Sequence, residues 1–313
     1  MYIKKKNDTV FRVQQPSELL SFLMERMQTT RTSVKQLLSH RRVQVNGACQ
    51  TRHDTPLKTG DEVVVVSDKG NTRLTHPKLK TVYEDDYLIV VEKKEGLLTI
   101  PSKPGSRETT AFSILKAYVQ RQNKRNGIYV VHRLDRETSG LLVFAKSPEL
   151  QEYMRTYWKQ LVTEREYIAV AEGIITDKEG TIRSWFTEDK RNAVVYSSPV
   201  DDGGDLAVTH YRVVKTFAPV AHTEDGQSVS EKPLSLVSLH LDTGRTNQIR
   251  VHLASKGHPV VGDRKYGHGN TYSPADRLCL HARVLEFIHP ATEQKMRFES
   301  PLPKVFNQLF RQK

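Results

Sequence analysis

Hydrophobic positions along the chain change period twice. From Gln15 the apolar residues Leu19, Leu20, Leu23 and Met27 recur at helical spacing behind Pro16-Ser17, which reads as a helix start. A second helix follows, capped by Thr32 or Ser33, with Val34, Leu37 and Leu38 turned inward. The period then drops to two. Val43-Gln44-Val45 alternates into the turn dipeptide Asn46-Gly47, and Gly60-Asp61 leads into the strand Glu62-Val63-Val64-Val65-Val66. Two small helices and a short sheet fill residues 15–66.

Residues 67–80 carry Gly, Pro and several cations without apolar periodicity, so they read as a linker. Strands dominate beyond it. The runs 87–93, 128–131, 141–145, 167–170, 211–214 and 236–241 are strand-like, with helical stretches at 109–122, 148–162 and 246–256. Strand and helix interleave into one large α+β domain over residues 81–313. The polar, Pro-bounded run 219–233 reads as a surface excursion.

Charge adds a direction to this layout. The 313 residues hold 48 Lys and Arg against 36 Asp and Glu, a net charge of +12. Residues 1–80 hold 15 of those cations and 7 of those anions, so a quarter of the chain carries +8. That asymmetry suits a polyanion-binding front end, because phosphate contacts dominate nucleic-acid affinity through counterion release. No apolar run reaches membrane-spanning length and no signal-peptide pattern opens the chain, so an intracellular, cytoplasmic location is expected. Cys49 and Cys279 are far apart, which argues against a disulfide framework and a zinc site. No dinucleotide or phosphate-loop fingerprint is present, and no cofactor or metal is expected.

One polar loop is trapped between two apolar strand candidates: Val131-His132-Arg133-Leu134-Asp135-Arg136-Glu137-Thr138-Ser139-Gly140. Loops of this kind place reactive groups on a rigid frame. Asp135 stands between Arg133 and Arg136, whose charges favour the carboxylate, and such a group serves as nucleophile or base. An ion-paired turn has the same composition. Farther on, Asp242-Thr243-Gly244-Arg245 reads as a turn, Thr246 as the cap of a helix running to Lys256, and Gly257 as its stop. Ile249 and Leu253 share one face of that helix, and Arg245 and Arg250 point in different directions.

Over residues 80–303 the chain resembles the RluA-type pseudouridine synthases. The likeness rests on HRLDRETSGLLVFAK, REYIAVAEG, LHLDTGRTNQIRVHLASKGHPVVGDRKYG and LCLHARVLEFIHP, in the family's order. Residues 15–66 resemble the S4 RNA-binding domain, which precedes this domain in many members. The resemblance implies an α+β catalytic domain with a mixed, largely antiparallel sheet behind a small S4 domain. It also implies uridine-to-pseudouridine isomerisation in RNA, without cofactor, by a protein expected to be monomeric.

Carried over by motif, Asp135 is the catalytic carboxylate, Tyr167 packs against the uracil, and Arg250 pairs with the carboxylate. Arg133 helps hold the target nucleotide out of its stack, with His132 and Arg245 as further substrate contacts. Arg31, Lys35, Arg41 and Arg42 meet phosphates on the S4 surface. Large-subunit ribosomal RNA is the expected substrate, with transfer RNA second; a non-catalytic RNA-binding or ribosome-assembly protein and a hydrolytic N-glycosylase are the rival readings. Two departures from the family pattern stand out. Asn247 replaces a usual His and cannot titrate. Lys94-Glu95 stands where Lys-Pro is usual, which points to a more mobile loop.

Overall fold

The computed structural model describes residues 8–39, 42–66, 74–103, 105–189, 191–218, 223–224, 227–228, 233–267 and 275–310. The chain divides into two units, Met1–Arg73 and Leu74–Lys313.

In the first unit, β1 (Thr9–Arg12), β3 (Val43–Val45), β4 (Ala48–Gln50) and β6 (Glu62–Val65) form one antiparallel sheet, while β2 (Ser17–Glu18) pairs with β5 (Pro56–Leu57). Helices α1 (Leu19–Met27) and α2 (Arg31–Ser39) bury Leu19, Leu23, Val34 and Leu38 against Val43 and Val63. The Asn46-Gly47 turn joins β3 to β4 with both residues at positive φ, 49° and 79°, as a two-residue hairpin requires. The helix starts differ from expectation. Ser17 and Glu18 are drawn into the ladder with Pro56 and Leu57, so α1 begins at Leu19. The cap of α2 is Thr30, whose hydroxyl accepts from the Ser33 amide at 3.3 Å. Arg31 and Lys35 are exposed, Arg42 donates to the carbonyl of Val66, and Arg41 lies outside the described residues.

The second unit is built on β7 (Leu79–Glu84), β8 (Leu88–Lys93), β9 (Tyr129–Val130), β10 (Ser139–Ala145), β11 (Val162–Glu172), β12 (Glu179–Asp189), β13 (Val194–Ser198), β14 (Asp205–Phe217), the short ribbon β15 (Thr223–Glu224) and β16 (Gln227–Ser228), β17 (Leu234–Leu241), β18 (Leu280–Ile288) and β19 (Lys295–Glu299). Helices α3 (Ala111–Gln122), α4 (Pro148–Thr156), α5 (Trp158–Leu161), α6 (Gln248–Ser255) and α7 (Lys304–Gln308) complete it. The main sheet runs β13-β12-β14-β17-β11-β18-β10-β8-β7, with β19 beside β18 and β9 beside β10. Among the described residues its one parallel ladder joins β10 to β18; the other pairs are antiparallel.

Central strands read as unbroken apolar runs because both faces are covered. In β10, Leu142 and Phe144 enter the core beneath α3 and α6, while Leu141 and Val143 enter the one beneath α4 and α5. Ile89 and Val91 of β8 divide from Leu88 and Val90 in the same way. The end of the expected linker belongs to this unit: Leu74 and Leu79 are buried, and β7 starts at Leu79. Residues 67–73 lie outside the described residues, as does most of the expected excursion at 219–233. In the main sheet β7, β12, β13, β18 and β19 carry no expectation above, because charged or polar residues break up their apolar ones.

Candidate active site

Asp135 sits in the connection between β9 and β10, and four neighbours fix that connection. Thr99 takes a hydrogen bond from the Leu134 amide at 3.1 Å and donates to its carbonyl at 2.7 Å. The Arg136 carbonyl accepts from the Gly96 amide at 2.8 Å and from Lys93 Nζ at 3.1 Å. The Thr138 amide closes the turn onto the carbonyl of Asp135. His132 Nε2 accepts from the Val143 amide at 3.1 Å, which fixes the proton on Nδ1, and burial pulls its pKa down to about 3 with the charge of Arg165 adding to the effect. His132 is therefore a neutral strut whose ring also lines the cleft, packed 4.8 Å from that of Trp158.

The cations next to Asp135 in sequence are not its partners. Arg136 turns away to Glu108 at 2.9 Å, and Arg133 is exposed at the cleft wall. Arg250, from the first turn of α6, brings Nη1 to 3.9 Å from Asp135 Oδ2, near enough for charge to be felt and too long for a hydrogen bond. Its other edge is occupied: Nε and Nη2 each donate at 2.7 Å to Asp263, and Nη1 donates to Asn247 Oδ1 at 2.9 Å. Asp263 is fully buried and also accepts from the amides of Lys265 and Tyr266. Burial works against both charges, yet the bonds to each other hold Arg250 above and Asp263 below their ordinary values.

Tyr167 approaches from the other side. Ala282 of β18 pairs with Gly140 of β10 on one flank and with Tyr167 of β11 on the other, so one strand separates the Asp135 loop from the tyrosine. Adjacent strands lie about 4.8 Å apart, which puts the two backbones roughly 10 Å from each other. A register shift between Glu166 and Tyr167 re-aims the ring toward the cleft it lines. Burial raises its hydroxyl pKa and Asp135 raises it further, against the charge of Arg165.

The expected cap of α6 is corrected. Asn247, not Thr246, holds the N-cap position, at φ 54° and with no side-chain cap; Nδ2 instead donates to the Tyr266 hydroxyl at 3.1 Å. Gln248 organises the turn in its place. Its Oε1 accepts from the Arg245 amide and the Thr243 hydroxyl, and its Nε2 donates to the Val208 carbonyl. Arg245 lines the cleft and pairs with Asp205 at 3.0 Å. Gly257 ends the helix at φ 78°, and Ile249 and Leu253 are buried as expected.

The 94–98 loop, expected to be loosened, is pinned. Glu95 pairs with Arg277 at 2.6 Å, and Lys93, fully buried, gives its ammonium hydrogens to the carbonyls of Lys94, Leu97 and Arg136. Burial drives the Lys93 pKa down to about 7 against the charges of Asp135, Glu137 and Glu95. Together these walls enclose a cleft of about 940 Å³ that holds Asp135, Tyr167, Arg250, Arg133 and Arg245. The cleft presents the carboxylate of Asp135 beside the sheltered ring of Tyr167, and the six cations of its lining outnumber its three carboxylates, Asp135, Glu164 and Asp242, a set suited to an anionic substrate with a planar base. Arg31, Lys35 and Arg42 belong to the first unit.

Residues 87–255 match the family described as RNA pseudouridylate synthase. An RNA pseudouridine synthase of Bacillus subtilis, YhcT, whose own role is uncharacterized, is 32% identical over 94% of this chain and 92% of that protein. Ribosomal large subunit pseudouridine synthase D of Pseudomonas aeruginosa is 33% identical over 85% of this chain and 82% of that protein. Among solved structures, human RNA pseudouridylate synthase domain containing 4 shares the fold at a TM-score of 0.55 and 21% identity, covering 73% of this chain and 90% of that one. The chain belongs to the RNA pseudouridylate synthase family and is an isomerase acting on RNA.

Proposed function

We propose that the protein converts specific uridines of large-subunit ribosomal RNA to pseudouridine, with Asp135 as the catalytic carboxylate. In that reaction the N1–C1′ bond breaks, the uracil turns within the pocket, C5 bonds to C1′, and the C5 proton leaves as N1 regains one. Asp135 acts at the sugar, by attack on C1′ or by removing a ribose proton. Tyr167 packs on the uracil, Arg250 orients the carboxylate, and Arg133 fills the space of the extruded nucleotide. Extrusion itself costs a few kcal/mol of unstacking, offset by protein contacts. The single observation that carries this reading is Asp135 at the wall of a cleft roomy enough to admit a nucleotide, with Arg250 at 3.9 Å and Tyr167 one strand away. The names of the large-subunit relatives support the choice of RNA.

The test is tritium release from C5-labelled uridine in ribosomal RNA. Wild-type protein is expected to release it and Asp135→Asn to release none while folding and binding RNA as before. Free uracil among the products would instead establish hydrolysis, and release confined to transfer RNA would move the substrate.

The first unit is read as an S4-type RNA-binding domain of residues 15–66, with Arg31, Lys35, Arg41 and Arg42 meeting phosphates. Replacing the four by Ala is expected to weaken RNA binding and flatten its salt dependence; an unchanged slope removes this surface from the footprint.

A further inference from the structure

The cations of the cleft fall into two groups. Arg245 is paired with Asp205, Arg250 with Asp263, and Arg165 donates to the carbonyl of Leu241. Arg133 of the Asp135 loop also lines the cleft, exposed and with no side-chain ion pair or hydrogen bond among the described residues, and the same holds of Arg155 and Lys159. The latter two stand on the corner between α4 and α5, where Tyr153-Met154-Arg155-Thr156-Tyr157-Trp158-Lys159 interleaves aromatic rings with positive charge. Met154 anchors the corner in the core. The rings of Tyr153 and Tyr157 lie 4.9 Å apart and are 43% and 46% exposed, so an aromatic pair is held at the surface without cover. Trp158 turns inward and lines the cleft beside His132 of the Asp135 loop.

Unpaired cations in a cleft wall attract phosphate, and aromatic rings beside them offer faces for bases; together they suit single-stranded nucleic acid. The cleft is also large for one nucleoside, at the upper end of the ~300–1,000 Å³ that whole small-molecule ligands occupy. The corner is continuous with the Asp135 loop through the Trp158–His132 contact, so a strand leaving the cleft meets it directly.

Resting on the function proposed above, we infer that the α4–α5 corner is a binding subsite for the nucleotide adjacent to the reacting uridine on the same RNA strand. Its phosphate lies on Arg155 and Lys159, and its base packs against Trp158 and the Tyr153–Tyr157 pair.

The experiment uses the full chain carrying Trp185→Phe, which leaves Trp158 as its sole tryptophan because the sequence holds 2. Pentauridylate is expected to quench that fluorescence. Adding Arg155→Ala and Lys159→Ala is expected to weaken pentauridylate binding at least tenfold and to lower the slope of log affinity against log salt by about 1.4, two phosphates at ~0.7 each. On ribosomal RNA the same pair raises KM and leaves kcat within about twofold. Tyr153→Ala with Tyr157→Ala weakens binding without changing the salt slope, as lost stacking requires. An unchanged slope and KM in the Arg155/Lys159 variant overturns the subsite, and so would a corner that serves to dock a protein. No quench up to about 1 mM pentauridylate, beyond the weak end of ordinary non-specific affinity, also overturns it. A wild-type protein that releases no tritium from any RNA removes the isomerase reading, while quench and slope still judge the corner.

Discussion

Arg250 gives two hydrogen bonds of 2.7 Å to Asp263 and reaches Asp135 with Nη1 alone, at 3.9 Å. The tighter partner is thus the buried one. A bidentate carboxylate fixes the plane of a guanidinium, so Asp263 decides which edge of Arg250 faces Asp135.

Asp263→Asn is expected to lower kcat by tenfold or more with KM within about threefold, because substrate contacts stay while the arginine loses its fixed orientation. Breaking a buried pair also costs about 3–5 kcal/mol. The pKa of Asp263 is depressed in the fold, so the contribution of the pair is present above the ordinary carboxylate range and is lost as pH falls through the lower folded value. Single-turnover kinetics and urea unfolding between pH 7 and pH 3 check both points; a variant with wild-type kcat would free Asp263 of this role.

Three histidines set a second acid limit. Burial pulls His132 to about 3 and His252 and His281 to about 4, from an ordinary 6.5. The unfolded chain takes up these protons near pH 6.5 and the folded chain does not, so stability falls as pH drops from 6.5 toward 4. With about 1.4 kcal/mol per proton per pH unit, the three together approach ~4 kcal/mol per pH unit. His252→Gln, which retains partners in Ser184 and Thr209, is expected to remove about a third of that slope. Urea midpoints that stay level between pH 7 and pH 5 would contradict this account.

Gly140 separates two effects of adding a methyl group. It has φ 118°, and a Cβ there would lie 2.1 Å from the carbonyl oxygen of Ala282. Gly140→Ala must therefore push β18 away from β10 and is expected to cost at least ~3 kcal/mol and most of the activity. Gly257 has φ 78° with open space around it, so Gly257→Ala costs only the left-handed strain of about 1–2 kcal/mol. Similar losses in thermal unfolding for the two variants would mean that the clash is relieved cheaply.

Local chemistry was readable in the chain where a short stretch decides its own shape. The Asn46-Gly47 turn, the Gly257 stop and the Ile249–Leu253 face follow from residues within one turn of each other. Motif likeness carries Asp135, Tyr167 and Arg250, and all three line one cleft. What spacing could not supply are partners distant in sequence. Asp263 reaches Arg250 from beyond α6, Thr99 holds Leu134 from 35 residues away, and Lys93 is buried by carbonyls from two loops. Arg136 misleads for the same reason: it is adjacent to Asp135 in sequence, but Glu108 claims it. The cap of α6 fails at Thr246 because Gln248 already ties the turn from inside the helix.

β18 lies between β10 and β11, although its start at Leu280 comes 141 and 118 positions after theirs at Ser139 and Val162. On a ribosome still elongating this polypeptide, the half bearing Asp135 and the half bearing Tyr167 and Arg250 have no shared seam until residues 280–288 emerge. Those residues stand late in the chain, so the nascent enzyme stays inert for nearly all of its synthesis, and chains cut short before Leu280 are expected to leave two half-sheets with exposed edges.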